Sequence, residues 1–146
     1  MPPEILENAL GYNFNRVYVL LRREFLRALA EYSMTPEQWY VMMTLWSTEH
    51  PLNQRDIIRM TLKDKPTVSR MVQRLEKNGW IEKAVSQFDG RVTIIQPTKK
   101  GVALKKEVPQ KLISHFDTFW KQLGEEDEQI LFRILKKLRH ILADYS

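Results

Sequence analysis

Six residues within a ten-residue span carry the most directed chemistry of the chain: Lys65, Thr67, Ser69, Arg70, Gln73 and Arg74. All are cations or small hydrogen-bonding side chains, types that engage phosphate oxygens and base edges. Gln73 and Arg70 carry the donors and acceptors that match adenine and guanine edges, each such pair worth about 1–3 kcal/mol of discrimination. Lys65, at the start of the span, suits a phosphate contact. Val68, Met71 or Val72, and Leu75 fall between them at i, i+3/4 and i+7, so the six lie opposite a buried stripe of one helix. This pattern predicts recognition of double-stranded DNA, not bond making.

Catalytic constellations are missing from the sequence. His50, His115 and His140 are scattered, without a second histidine or a carboxylate at metal-ligand spacing. His115 and Asp117 stand two apart and cannot share a helical face. No glycine-rich phosphate loop, nucleophile elbow or paired-carboxylate motif occurs. A chain without cysteine has no disulfide, thiol switch or thiolate-bound metal. The expectation is therefore a non-enzyme with no cofactor and no metal.

Charge placement points the same way. Between Asn53 and Gly101 there are eleven basic and five acidic residues, a local charge of +6, while the remainder sums to −1. The whole net charge of +5 thus comes from one third of the 146 residues. Concentrated positive charge favours a polyanionic partner. The bland alternative is an ordinary solvated basic face.

The elements around these residues follow from spacing and caps. Asn53 to Thr61 has Ile57, Ile58 and Met60 for one buried side, and Leu62-Lys63-Asp64 interrupts the pattern. Asp64 caps the next helix, Pro66 occupies its first turn, and Asn78-Gly79 ends it. Two helices joined by about three residues make a helix-turn-helix, whose second helix fits a major groove. Trp80 to Ser86 and Val92 to Gln96 read as strands around the turn dipeptide Asp89-Gly90. The hairpin turns the motif into a winged helix.

At this point the chain resembles the MarR family of bacterial transcriptional regulators. The matching residues are the NQRDII segment, the KPTVSRMVQRLEKNGWIEK run, and the pattern of Asp89, Arg91, Thr98 and Gly101. The flanking helices match the family in length and order, so the resemblance spans nearly the whole chain. It implies that Arg91 enters a minor groove while Asp89 orients it. Four departures stand out: Pro97 where a leucine is usual, Ile58 for a common alanine, Gly90 at an often basic wing-tip place, and no cysteine for thiol-based sensing.

The remaining helices are long and apolar on one side. Glu4 to about Tyr32 is expected as one helix, with Leu6, Leu10, Phe14, Val17, Leu21, Phe25 and Leu29 on its stripe. Thr35-Pro36-Glu37-Gln38 starts a helix running through Ser47, and Leu52 opens a small strand. Thr98 caps a helix expected to reach about Leu123 with a kink at Pro109. Gly124 breaks it, and Glu125 to Glu128 load the start of a last helix that carries Ile130, Ile134, Leu138, Ile141 and Leu142.

The predicted fold is mainly α with a small β-hairpin wing. It divides into an N-terminal dimerisation helix (1–34), a winged helix-turn-helix (35–97) and C-terminal dimerisation helices (98–146). Three wide apolar stripes exceed what so small a centre can cover, and exposed contiguous apolar surface signals an interface. A homodimer is expected, and the resemblance implies the same pairing of the first, fifth and sixth helices. It also implies a pocket for a small aromatic or phenolic anion that relieves DNA binding. The candidates are Arg16, Trp39, Met43, Trp46, His115 and Phe119, with Arg16 or His115 as polar anchor. The alternative is that these side chains pack together and no effector exists. Two other functions remain open: a winged helix used as a protein-interaction module, and a non-specific architectural DNA-binding protein. No apolar run long enough to span a membrane and no secretion signal are recognised, which makes the cytoplasm the expected location.

Overall fold

A computed structural model describes residues 1–144, so the last two residues of the C-terminal segment lie outside the described part. The order is α1 (Glu4–Glu7), α2 (Leu10–Ala28), α3 (Pro36–Ser47), β1 (Leu52–Asn53), α4 (Gln54–Thr61), α5 (Lys65–Lys77), β2 (Ile81–Val85), β3 (Thr93–Pro97), α6 (Lys99–Ala103), α7 (Val108–Leu123) and α8 (Glu125–Ile141). Short 3-10 turns follow α2 at Ala30–Tyr32 and α6 at Leu104–Lys106. The result is a mainly helical fold with a winged helix-turn-helix at its centre.

The long N-terminal helix is interrupted. Ala9 is extended, at φ −88° and ψ 120°, and separates α1 from α2. The side-chain amide of Asn13 donates to the carbonyls of Glu7 (2.8 Å) and Ala9 (2.9 Å), and that of Asn8 donates to Glu4 (3.2 Å). Asparagine amides compete here for helical carbonyls, as short polar side chains do. The apolar spacing ran through the break because a stripe of threes and fours does not register backbone competition.

Helix α3 begins in a full capping box. The Gln38 N–H donates to Thr35 Oγ1 (3.3 Å) and the Thr35 N–H to Gln38 Oε1 (3.0 Å). Asn53 and Asp56 build the same reciprocal pair at the start of α4. Met34, Val41, Met42 and Leu45 from the α3 region meet Ile57 of α4 and Val68, Val72 and Leu75 of α5 in one core. Of the two candidates for the middle of the α5 stripe, Val72 is buried and Met71 only partly so. Leu62 ends α4 in the left-handed region at φ 53°, and its side chain is exposed.

The sheet has the antiparallel order β1-β3-β2. Leu52 pairs with Ile95, and Ile81 with Pro97. Strand β3 is central yet ends in a proline. That is tolerated because β1 pairs only as far as Ile94 and Ile95, leaving no partner on that side to need the missing N–H. The turn also differs from a tight Asp89-Gly90 dipeptide. The Val92 N–H donates to the Asp89 carbonyl (3.0 Å), so Gly90 and Arg91 are its central residues, and Gly90 uses no positive φ.

Gly101 sits where any side chain would collide: a Cβ there would lie 2.0 Å from the Trp80 carbonyl oxygen. The expected kinked helix from Thr98 to Leu123 is two helices. A 3-10 turn at Leu104–Lys106 and a widened φ of −113° at Glu107 separate them, and Pro109 stands in the first turn of α7. A proline there gives up no hydrogen bond, so restarting the helix is cheaper than bending it. Helix α8 follows Gly124 and contains no buried residue. Among the described residues, no helix is long and apolar enough to cross a membrane.

Candidate nucleic-acid interface

Helix α5 is anchored at both ends, which fixes the direction of its outer face. At its start the Asp64 carboxylate accepts the Thr67 N–H (2.8 Å). Hydrogen bonding from Thr67, through its side chain first and its backbone second, holds that carboxyl below its usual range. At its end Gly79 adopts φ 76°, while the N–H groups of Trp80 and Gly79 donate to Leu75 (3.1 Å) and Glu76 (2.9 Å). This is the glycine-closed helix end in which two orphan carbonyls are satisfied.

On that outer face Lys65, Arg70, Gln73 and Arg74 are exposed, and Thr67 and Ser69 are partly exposed. The side chains of Lys65, Gln73 and Arg74 make no hydrogen bond or ion pair with the described residues. Arg70 reaches back one turn, where its Nη2 donates to Thr67 Oγ1 (3.3 Å). Ser69 is differently placed: its hydroxyl accepts from Gln54 Nε2 on α4 at 2.6 Å. It therefore ties the two motif helices together as well as bordering the exposed face. Gln54 is a residue that sequence reasoning missed, since periodicity within one helix says nothing of a partner on another.

The wing presents a second cation. Asp89 Oδ1 accepts from the backbone N–H of Arg91 (3.0 Å) and from its Nε (3.4 Å). The Arg91 side chain is nonetheless 93% exposed. Lys83 on β2 is drawn toward Glu76 at 3.7 Å, a loose contact on the flank of the wing.

Among the clefts beside α2, two meet at Arg22. The first, about 490 Å³, is walled by Leu21, Phe25, Trp39, Leu112, Phe116 and Trp120, with Arg22 as its one cation and Asp117 as its acid. The second, about 470 Å³, lies between α2, the start of α3 and α5, and gathers Arg22, Lys63, Arg70 and Arg74 around Glu37. Tyr18 and Arg22 border both. Burial alone would push the Glu37 carboxyl up, but its backbone hydrogen bond and the Arg22 guanidinium outweigh it and hold it below the usual range.

Of the six sequence candidates for a ligand pocket, the apolar cleft takes in Trp39. Trp46 packs edge-on against Trp39 at 5.7 Å and spends its N–H on the Gly101 carbonyl (3.0 Å). Arg16 donates to the Tyr12 hydroxyl (3.0 Å). It stands six positions before Arg22, about 9 Å along the helix at 1.5 Å per residue. His115 faces Glu24 of α2 at 3.1 Å, with Phe119 against its ring at 5.8 Å. Met43 is exposed outside the cleft wall. The cation at the cleft is thus Arg22, a residue whose position on the helix alone gave no reason to prefer it over Arg16. Among the described residues, no three His, Cys, Asp or Glu side chains are grouped to hold a metal ion.

Comparisons with known proteins agree with this architecture. A family model described as MarR family matches residues 32–92, from the turn before α3 to the far side of the wing tip. An uncharacterized HTH-type transcriptional regulator of Bacillus cereus strain ATCC 14579 is 30% identical over 119 residues, covering 81% of this chain and 76% of that protein. The solved structure of the transcriptional repressor CouR bound to a 23-mer DNA duplex is 25% identical, with a TM-score of 0.86 over 94% of this chain and 97% of that one. CouR bound to p-coumaroyl-CoA matches at a TM-score of 0.82 and 25% identity, over 94% of this chain and 96% of that one. With its helix-turn-helix, its wing and a relative sharing most of its length, the chain belongs to the MarR family of DNA-binding transcriptional regulators.

Proposed function

We propose that the protein is a repressor that binds a pseudo-palindromic DNA operator as a homodimer and is released by a small aromatic anion. The observation that carries the reading is the outer face of α5, where Lys65, Gln73 and Arg74 hang uncommitted from a helix capped at both ends. Side chains on a rigid element lose less freedom on binding, and the exposed Arg91 adds a second contact point. A protein-interaction module would leave this cationic face without a use. CouR, a relative of similar fold, is a repressor bound to duplex DNA in its own structure.

Dimerisation is supported by α8. Its seventeen residues include Phe132, Ile134 and Ile141, all exposed as is Leu142 just after it, and none of the helix is buried. Leu6, Leu10, Phe14 and Val17 are likewise uncovered at the other end of the chain. Apolar surface of that extent needs a partner, and a second copy brings the same stripes to meet it.

The apolar cleft between α2, α3 and α7 is the place for the effector. Trp39, Phe116 and Trp120 offer aromatic walls and Arg22 a carboxylate partner. A ligand there releases DNA only if it favours a non-binding arrangement of the subunits. Displacing Glu37 from Arg22 would supply that preference, because the pair joins α2 to the start of α3.

Binding of selected, single-base-variant and random duplexes in a salt series tests the reading against non-specific association. Lys65→Ala should weaken all sequences alike, whereas Gln73→Ala and Arg70→Ala should relax preference at one base position each, by about 1–3 kcal/mol. Equal affinity for selected and random duplexes at every salt concentration would leave only an architectural binder. For the effector, aromatic acids should change tryptophan fluorescence and weaken DNA affinity together; compounds that do the first without the second would remove the regulatory role.

A further inference from the structure

The wing tip holds a feature that electrostatics does not use. Phe88 is 100% exposed, the least covered large side chain of the wing. Its backbone, by contrast, is tied down. Ser86 Oγ accepts from the N–H of Phe88 (3.2 Å) and of Asp89 (3.4 Å), and the Ser86 N–H donates to the Val92 carbonyl (2.9 Å). A phenyl ring left fully in water contributes nothing to the core and remains available for an apolar contact.

We propose that Phe88 is a DNA contact: its ring enters the minor groove beside Arg91 and packs on the apolar deoxyribose wall. The proposal rests on the reading of the protein as a DNA-binding regulator. DNA is favoured over a protein partner by charge and by continuity. Arg91, three residues on, projects from the same turn with its side chain 93% exposed, and strand β2 packs against α5, whose outer face is cationic. Minor-groove binders commonly join a cation that follows the narrow groove's potential to an apolar side chain that fills it. The two residues divide the work: Arg91 supplies salt-dependent attraction, and Phe88 supplies contact that salt does not screen.

That division is measurable in the whole protein by titrating a duplex selected from random DNA across a salt series. Phe88→Ala should weaken binding roughly tenfold, the size expected when an aromatic ring loses an apolar contact, with an unchanged salt slope. Phe88→Leu should recover most of the loss, and neither variant should shift the melting temperature, because the ring is unburied in the free protein. Arg91→Ala is the contrasting control, which lowers the slope. Wild-type affinity in Phe88→Ala would overturn the proposal, as would a loss accompanied by a lowered salt slope or by a change in sedimentation. Failure of the wild type itself to bind any duplex would strike the regulator reading instead, and the contact with it.

Discussion

Arg22 of α2 grips Glu37 of α3 through one guanidinium nitrogen, whose distances to the two carboxylate oxygens are 2.8 and 3.0 Å. The Glu37 side chain is 15% exposed and that of Arg22 31%. The pair stands at the boundary of the two clefts, one facing the apolar wall of α7 and the other the cations of α5. Its charge-assisted bonds are partly screened by solvent, so removing Arg22 should cost only about 1–2 kcal/mol of stability. Urea unfolding of Arg22→Met at neutral pH checks that figure.

The pair also predicts a pH dependence. The Glu37 carboxyl is held below its usual range in the folded chain, with burial opposing and the backbone bond and Arg22 prevailing. A depressed carboxyl contributes stability that is full above its unfolded value of about 4.3 and fades as pH falls through the folded value. Glu37→Gln should therefore lose less stability than wild type as pH is lowered below about 4.3. Parallel acid-unfolding curves for the two proteins would contradict it.

Gly101→Ala should be among the most damaging small substitutions in the chain. The added methyl would meet the Trp80 carbonyl oxygen and carbon, which are backbone and cannot swing aside, and then the Met42 side chain. Overpacking of this kind costs about 1–3 kcal/mol or more. Thermal unfolding should show a clear fall in melting temperature, with DNA affinity lost alongside because Gly101 joins α6 to the root of the wing.

What the sequence reveals of this fold depends on the distance between the interacting groups. The caps at Thr35, Asp64 and Thr98 were legible because each cap and its donor lie three residues apart, whereas the Asn53 cap emerged only with the structure. The exposed face of α5 followed from the spacing of Val68, Val72 and Leu75. Two helix boundaries escaped, at Asn8-Ala9 and at Glu107, because apolar spacing ran on where the backbone did not. The cleft escaped most. Which of Arg16 and Arg22 borders it depends on how α2 crosses α3 and α7, and no local pattern in α2 encodes that crossing.

Arg91→Ala should weaken DNA binding and flatten its salt dependence by roughly one phosphate-equivalent per subunit. Arg91→Lys should restore only part of the loss, since an ammonium is more strongly hydrated than a guanidinium. The melting temperature should hardly move, because the Arg91–Asp89 contact is a solvated pair at 3.4 Å. Affinities equal to wild type across the salt series would show that Arg91 makes no contact with DNA.

Charging α8 should separate the subunits. Ile134 and Ile141 are 42% and 64% exposed, so glutamates at both positions can reach solvent in the single chain. Sedimentation of Ile134→Glu/Ile141→Glu should show monomers that keep their helical signal. Their operator affinity should fall by at least roughly a hundredfold, because two half-site contacts no longer act together. A variant that sediments as wild type would place the interface elsewhere.

Selection of random duplexes with the purified protein shows whether paired α5 helices read base sequence. Enrichment of a pseudo-palindrome whose half-sites lie about one helical turn, or roughly 10 base pairs, apart is expected. Gln73→Ala should lose the preference at one position of each half-site. Selection that returns no shared motif, or a motif without two-fold symmetry, would contradict reading by paired α5 helices.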